Sequence, residues 1–165
     1  MKRIVLLFSV LMLTATVWSQ DMTEERKYEP VVMRGFSFSA FYDVPVDEIY
    51  IGAYNPTTDN IDIIPFQIDE RFIAPDLYND ARTRHYYANA EFPDNGVLDK
   101  EDEIVFLAGD MGPEAPDHIW IDDDEAKTHK RIEVKVADPN DENNAIYAYA
   151  FQSSTFDGEI PRPYN

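Results

Sequence analysis

The chain has 165 residues, no cysteine and a formal net charge of −18, and 44% of its residues are hydrophobic. Without cysteine it forms no disulfides, so its core, or a bound ion, must hold it together. Its acidity disfavours binding to nucleic acid and to anionic lipid. Its aromatic content of 13% argues for a folded chain.

The first nineteen residues have the layout of a secretory signal peptide. Lys2 and Arg3 precede an apolar stretch at residues 4–17, and Val17 and Ser19 supply the small side chains that suit a signal-peptidase site. The alternative is a transmembrane anchor, but the stretch is short for the ~20 residues that a span needs. We predict cleavage after Ser19, no integral membrane span thereafter, and a secreted, periplasmic or cell-surface location.

After the signal peptide, the sequence predicts a polar lead-in and one domain. Residues 20–30 are a flexible lead-in, and residues 31–165 are a single β-rich domain, long enough to bury a core. The sequence stops soon after its last predicted strand. Two interpretations follow: a polar C-terminal tail, or a chain that is the N-terminal part of a larger protein.

Along this domain the pattern is that of short strands. Residues 31–43 alternate, with Phe36, Phe38 and Ala40 on one face, and residues 130–138 also alternate with a period of two. Further strands are predicted at residues 48–54, 61–72, 103–109, 118–121 and 145–152, with turns at residues 55–60 and 138–144. Pro65 indicates an edge strand or a bulge, and residues 74–90 indicate a loop or a helical turn. The pattern predicts an all-β fold, an antiparallel β-sandwich-like domain with long loops.

An acidic stretch, FPDNGVLDKEDEIVFLAGDMG at residues 92–112, surrounds an Asn-Gly turn. It resembles the second half of an EF-hand or dockerin-type calcium loop. That resemblance implies four ligands, namely Asn95, the Val97 carbonyl, Asp99 through water, and Asp102. Asp69, Asp94 and Asp110 are further candidates. The first and third loop positions depart from the pattern, because Glu91 and Pro93 occupy them, and a strand follows where an EF-hand has a helix.

The alternative interpretation of this stretch is a turn without a metal. Asn-Gly is a strong type I′ turn signal, Asp94 suits an Asx turn, and Asp99 suits the cap of the following turn. Leu98, Ile104 and Phe106 would then pack inward while the charges stay in water. Calcium is therefore one candidate cofactor, and an ion-free turn is the other outcome.

Three segments together carry a second resemblance. IIPFQIDERF, then NGVLDKEDEIVFLAGDMG, then the hairpin RIEVKVADPNDENNAIYAYAFQSST resemble a group of uncharacterised secreted bacterial β-rich proteins, over residues 65–155. The resemblance implies export and a β-rich fold, and it implies no particular reaction. Relatives of that kind continue beyond the hairpin, which favours the interpretation of a chain from a longer protein.

The other charged motifs each have a structural interpretation and a functional one. Within QIDER, a local pair of Asp69 with Arg71 is the simple interpretation, and a catalytic carboxylate partnered with Asp102 or Asp110 is the alternative. Residues 122–131 predict a charged hairpin loop or a second cation site. The histidines at positions 85, 118 and 129 lack the short spacing of a zinc motif.

Three classes of function remain open. We favour a secreted or envelope binding or structural module, with calcium as a candidate stabilising ion. The second class is a polysaccharide-acting enzyme or its carbohydrate-binding part, in which tyrosines and tryptophan from HYYANAEF and HIWI stack on sugar rings. The third is a surface adhesion or assembly domain. A glycan or envelope component is the expected partner, and nothing in the sequence indicates an oligomeric state.

Overall fold

The computed structural model describes residues 26–74, 84–88, 95–138 and 141–161 of the chain. These residues form nine strands: β1 Pro30–Arg34, β2 Ile49–Asn55, β3 Asn60–Ile63, β4 Phe66–Asp69, β5 Arg71–Ala74, β6 Arg84–Tyr87, β7 Glu103–Leu107, β8 Ile132–Asp138 and β9 Asp141–Gln152. Short 3₁₀ helices span Gly35–Phe41, Val46–Glu48, Ala108–Asp110 and Ala126–Thr128. The predicted signal peptide at residues 1–19, and the lead-in up to residue 25, lie outside the described residues.

The described strands form antiparallel sheets, as the sequence predicts. One sheet has the order β1-β7-β4, a second has the order β3-β2-β9-β8, and β5 pairs with β6. The β8–β9 hairpin is the longest pairing, from Ile132 opposite Ala150 to Asp138 opposite Asp141. The all-β, sandwich-like prediction is confirmed.

The main core lies between the three-stranded and the four-stranded sheet. Ile104 and Phe106 of β7 are fully buried, and they belong to the same cluster as Ile51 of β2 and Ala148 of β9. This is the arrangement of two sheets that bury their facing side chains against each other. The inward positions predicted for Leu98, Ile104 and Phe106 are confirmed.

The four-stranded sheet also buries its other face. Tyr149 and Phe151 of β9 pack there against Ile119 and Ile121, which belong to a long loop between β7 and β8. Buried residues therefore follow one another without alternation in the centre of β9. A strand covered on both sides is continuously apolar, which explains the sequence AIYAYAF.

Several local predictions are confirmed and three are wrong. The turn at residues 56–59 joins β2 to β3, and Pro65 precedes β4 at a sheet edge. Residues 35–41 form two short 3₁₀ turns that meet at a kink at Phe38, not a strand, and Phe38 and Phe41 are buried while Phe36 is 64% exposed. Residues 118–121 form loop rather than strand, and β6 lies inside the predicted loop at residues 74–90. Within the described residues, no helix has the length and apolarity to cross a membrane.

Candidate functional site

The first acidic loop, residues 95–102, is anchored along the chain segment that precedes β2. Leu98 donates its N–H to the carbonyl of Val44 at 2.8 Å, and Asp43 donates its N–H to the Leu98 carbonyl at 3.1 Å. Gly96 has a φ of +75°, a conformation that glycine adopts without strain. A Cβ atom at Gly35 would collide with the Asp99 carbonyl. The loop is therefore packed against its neighbours by backbone as well as by side chains.

Asp102 holds this loop together from inside the protein. Its side chain is 0% exposed, Oδ1 accepts the N–H of Arg71 at 2.8 Å, and Oδ2 accepts the N–H of Asp99 at 2.8 Å. The carboxylate thereby ties the start of β5 to the loop. Because charge-assisted hydrogen bonds to backbone N–H groups are the strong ones, they offset part of the cost of burying the charge.

The side chains of two other predicted calcium ligands, Asn95 and Asp99, accept hydrogen bonds from their own loop. Asn95 Oδ1 accepts the Val97 N–H at 2.9 Å, and Asp99 Oδ1 accepts the Glu101 N–H at 2.8 Å, which is the Asx-type geometry expected at turns. Asp94 lies outside the described residues. In the part of the chain that the structure describes, no three His, Cys, Asp or Glu side chains are grouped to hold a metal ion. Calcium binding stays a prediction.

The two remaining candidates, Asp69 and Asp110, lie at element ends. Asp69 ends β4, pairs in register with Glu103 of β7, and accepts the side-chain N–H of Gln67 at 3.1 and 3.2 Å. Asp110 ends the 3₁₀ helix that follows β7 and is half-buried. The structure thus places Asp69 on the strand next to β7, and Asp110 just beyond the end of β7.

Arg71 binds Glu103 instead of the predicted Asp69. Arg71 Nη1 lies 2.6 Å from Glu103 Oε1, and both residues are buried. The Tyr87 hydroxyl donates to Glu103 Oε2 at 3.0 Å, and this hydrogen bond raises the pKa of Tyr87. Arg34 Nη2 lies 3.3 Å from Glu103 Oε1. The segments QIDER (residues 67–71) and DKEDE (residues 99–103) therefore meet in one ion-paired cluster. This cluster joins β1, β5, β6 and β7.

A cavity of about 320 Å³ lies beside this cluster, lined by Arg34, Phe36, Lys100 and Glu101. Arg34 pairs with Glu103, and Lys100 Nζ lies 3.2 Å from Glu101 Oε1. The cations of this cavity are therefore neutralised by carboxylates of the protein itself. The cavity presents one exposed aromatic ring and paired charges, which is a weak basis for ligand selection.

The second acidic loop, residues 122–128, binds the chain segment that follows β9. Ser153 Oγ donates to Asp123 Oδ1 at 2.8 Å, and Thr155 Oγ1 donates to Asp123 Oδ2 at 3.0 Å. Ser154 binds the Glu125 carboxylate through its N–H at 2.8 Å and through its hydroxyl. Asp123 and Glu125 thus both accept hydrogen bonds from a serine–threonine segment about thirty residues away.

The hydrogen bonds change the acidity of both groups. Burial would raise the pKa of Asp123, but donors at the Ala126 N–H and at the Ser153 and Thr155 hydroxyls outweigh it and hold this pKa below its ordinary value. The Ser154 hydroxyl, followed by its N–H, lowers the pKa of Glu125. At neutral pH both groups are ionised acceptors, so the structure gives them a stabilising role within the fold.

A groove lies at the edge of the four-stranded sheet, where three connecting segments meet. It consists of two adjoining cavities, of about 200 and about 270 Å³, which share Asn60, Ile121 and Asp122. The first is also lined by Asp59, His118, Ile119, Trp120 and Lys127, and the second by Ile61, Ile63, Phe156, Asp157, Gly158 and Glu159. We call this feature the Trp120 groove.

The loop that carries Trp120 is fixed by an arginine. Arg131 Nη1 donates to the carbonyls of Ile119 at 2.6 Å and Pro116 at 3.1 Å. Its guanidinium lies 4.7 Å from the ring centroid of Tyr149 and 5.9 Å from that of Trp120, within the range of cation–π contacts. The Trp120 ring packs on Phe151 at 5.8 Å between centroids. The half-buried indole is held in place before any ligand arrives.

On the other side of the groove, the β2–β3 turn places Asp59. Asp59 has a φ of +55°, a left-handed conformation in which aspartate is among the commoner non-glycine residues. The Tyr54 hydroxyl donates to its Oδ1 at 2.8 Å. The Asp59 carboxylate therefore has a defined position at the mouth of the cavity that Trp120 lines.

Sequence reasoning recognised Trp120 and the turn at residues 55–60, but not that they form one site. It also missed Ser153 and Thr155 as partners of Asp123. The contacts join residues far apart in the chain, and no local pattern marks them. Compared with protein-family models, with curated proteins and with solved structures, the chain gives no match.

Proposed function

We propose that this chain is a non-catalytic binding module of a secreted or envelope protein, and that its ligand occupies the Trp120 groove. The groove is the observation that carries the proposal. It combines a fixed aromatic ring with carboxylate and amide groups around an open cavity, and binding sites commonly have that composition. The predicted signal peptide supports the location.

The state of the other acidic groups also supports a binding role. Asp102 and Glu103 are buried and paired within the fold, and Asp123 and Glu125 accept hydrogen bonds from residues 153–155. A general acid in a hydrolase needs a raised pKa near the working pH. The pKa values of Asp123 and Glu125 are lowered, which is the opposite direction.

Saturable binding of the purified full chain to envelope and extracellular polymers tests the proposal. Insoluble polymers are tested by sedimentation and soluble polysaccharides by affinity electrophoresis, with the Asn60→Ala, Asp122→Ala double variant and a Glu133→Ala control. Glu133 is exposed on β8, at the opposite edge of the sheet from β3. We expect saturable retention that the groove variant loses and the control keeps.

Two results would overturn the proposal. Absence of saturable binding to every polymer would remove the binding module. The chain could instead release new reducing ends from a bound polysaccharide, and an Asp122→Asn variant could abolish that release. This result would replace the binding module with the polysaccharide-acting enzyme that the sequence leaves open. Binding that the groove variant and the control retain equally would move the site away from Trp120.

A further inference from the structure

We infer that the Trp120 groove takes an uncharged oligosaccharide, with one sugar ring against the indole of Trp120. This inference rests on the proposed binding function and names its ligand class. Three properties of the groove carry it: its shape, the kind of polar groups that line it, and the sign of its charge.

The shape suits an extended ligand. Two neighbouring cavities share three lining residues, and Trp120 lines one of them while Phe156 lines the other. Their combined volume falls in the range of ~300–1,000 Å³ that small-molecule sites occupy. A ligand made of repeating units would place successive units in successive parts of such a groove.

The polar groups are suited to hydroxyl ligands. Carboxylates accept O–H donors in short, strong hydrogen bonds, and asparagine both donates and accepts. Asp59 and Asp122 are exposed and Asn60 is half-buried in the part of the groove that contains Trp120. A sugar ring has hydroxyl groups at its rim and an apolar C–H face. The face fits an aromatic ring, and the rim fits these three side chains.

The charge of the groove disfavours anionic ligands. Asp59, Asp122, Asp157 and Glu159 line the groove, against Lys127 as the lysine among its described lining residues. Lys127 Nζ is itself 3.0 Å from Asp124 Oδ1. An acidic polysaccharide or a nucleic acid would meet repulsion both here and from the net charge of the whole chain. An uncharged glycan meets none.

The groove is also rigid enough to select a ligand. Arg131 fixes the loop before Trp120 by two hydrogen bonds, and the Ala115 N–H donates to the Tyr149 hydroxyl at 2.7 Å. Ile121, the next residue of the same loop, is buried. Because the ring and its supports are ordered in advance, less conformational entropy is lost on binding.

Trp120 fluorescence supplies the test. The sequence contains only Trp18 and Trp120, so the Trp18→Phe chain reports on the groove alone. The chain is titrated with cello-, manno- and xylo-hexaose, with an oligogalacturonate, and with a chitosan hexamer and oligolysine as cationic ligands. We expect saturable changes in Trp120 emission with at least one neutral hexaose and none with the oligogalacturonate.

Asp122→Ala should weaken that binding by about tenfold or more, as loss of a hydrogen bond to a charged group does. Asp122 is exposed, so the Asp122→Ala variant should have the same Tm as the wild type. A substitution at Trp120 is less suitable, because it would also remove the packing of Trp120 on Phe151. Glu133→Ala should bind normally. The dissociation constant should change by less than about twofold between about 20 and about 500 mM NaCl, because no ion pair forms.

The alternative outcomes separate this inference from the proposed function. Tighter, salt-sensitive binding of chitosan or oligolysine would overturn the uncharged ligand in favour of a cationic one, and the binding module would stand. Binding of a neutral hexaose without any emission change, and unaffected by Asp122→Ala, would place the glycan elsewhere on the module. Failure to bind any of these ligands or any envelope polymer would overturn both.

Discussion

The two acidic loops, residues 95–102 and residues 122–128, are both rich in carboxylates and are stabilised in different ways; Glu103, the first residue of β7, follows the first loop directly. At the first loop, Asp102 is 0% and Glu103 7% exposed, and their partners are backbone N–H groups and a buried guanidinium. In the second, Asp123 and Glu125 are half-buried, and neutral hydroxyl and N–H groups bind them. A run of carboxylates in a sequence does not distinguish these cases.

The difference in burial determines which loop depends more on its hydrogen-bond and ion-pair partners for stability. Removing water from a charge costs several kcal/mol unless a partner compensates, so the buried Asp102 and Glu103 need their partners. The second loop keeps access to solvent, and water can replace part of a lost hydrogen bond. The first loop should therefore be sensitive to single substitutions and the second more tolerant.

The largest expected effect is the loss of the buried guanidinium. Arg71→Met leaves Glu103 in the protein interior without its main partner, which should lower the free energy of unfolding by about 3–5 kcal/mol. Arg71→Met combined with Glu103→Leu removes both charges and should recover most of that loss. Urea denaturation midpoints measure both. Arg26→Met, which removes an exposed ion pair with Glu29, is the control and should cost less than about 1 kcal/mol.

If the losses from Arg71→Met and Glu103→Leu instead add in the double variant, the two charges act independently. The buried charges beside the first loop would then be no more strongly coupled to each other than the half-buried groups of the second loop.

The next largest effect is stabilisation by calcium, which would show that the first loop has a role beyond its internal contacts. An ion that binds only the folded chain stabilises it by about 2.7 kcal/mol at a hundredfold excess over Kd, a shift of several degrees in Tm. Millimolar CaCl₂ is compared with NaCl at equal ionic strength and with MgCl₂, whose octahedral shell fits a flexible loop poorly. A site that includes Asp99 predicts a calcium-specific shift that Asp99→Ala abolishes.

Equal shifts in CaCl₂ and NaCl would mean only that salt screens the acidic chain. The loop would then be a turn whose carboxylates serve the fold. A calcium-specific shift that survives Asp99→Ala would place the ion at another group of carboxylates.

Ser153 gives the corresponding test of the second loop. Its hydroxyl donates to Asp123 and accepts the N–H groups of Thr155 and Phe156, and its side chain is buried. Ser153→Ala removes one donor from Asp123 and removes the acceptor of the Thr155 and Phe156 N–H groups, which should cost about 1–2 kcal/mol in denaturant unfolding. Ser154→Ala, at an exposed position, should cost less. Equal losses for the two variants would contradict the assigned role of the buried hydroxyl.

Local patterns predicted two hairpins of the fold, β2–β3 and β8–β9. The period of two in Ile132, Val134 and Val136, and the turn composition of residues 55–60, depend on neighbours in sequence, so they survive in the structure. The prediction of a strand at residues 35–41 is wrong, because the chain turns twice there, in two short 3₁₀ turns that meet at Phe38. Packing of Gly35 against the Asp99 carbonyl accompanies these turns, and a local pattern does not contain that contact.

Sites were less predictable than strands, because contacts distant in sequence build them. Arg71 meets Glu103 across 32 residues, and Asp123 meets Ser153 across 30. The same carboxylates could have faced solvent, a metal or each other. The apolar run at residues 118–121 was predicted as a strand, yet its isoleucines cover the second face of the four-stranded sheet as part of a loop. That role brings Trp120 to the groove.

The smallest expected effect is a pH dependence that belongs to the second loop. Hydrogen bonds hold the pKa values of Asp123 and Glu125 below their ordinary values in the folded state. As pH falls, the unfolded chain binds protons first, so these groups stabilise the fold above about pH 5 and lose that contribution as pH falls through their folded pKa values. In the Asp123→Asn, Glu125→Gln variant this component is absent. The difference in urea midpoint between wild type and variant should therefore be largest at pH 7 and shrink toward pH 3, while the many other carboxylates titrate alike in both. A difference that stays constant over that range would assign the loss to packing rather than to the ionised acceptors.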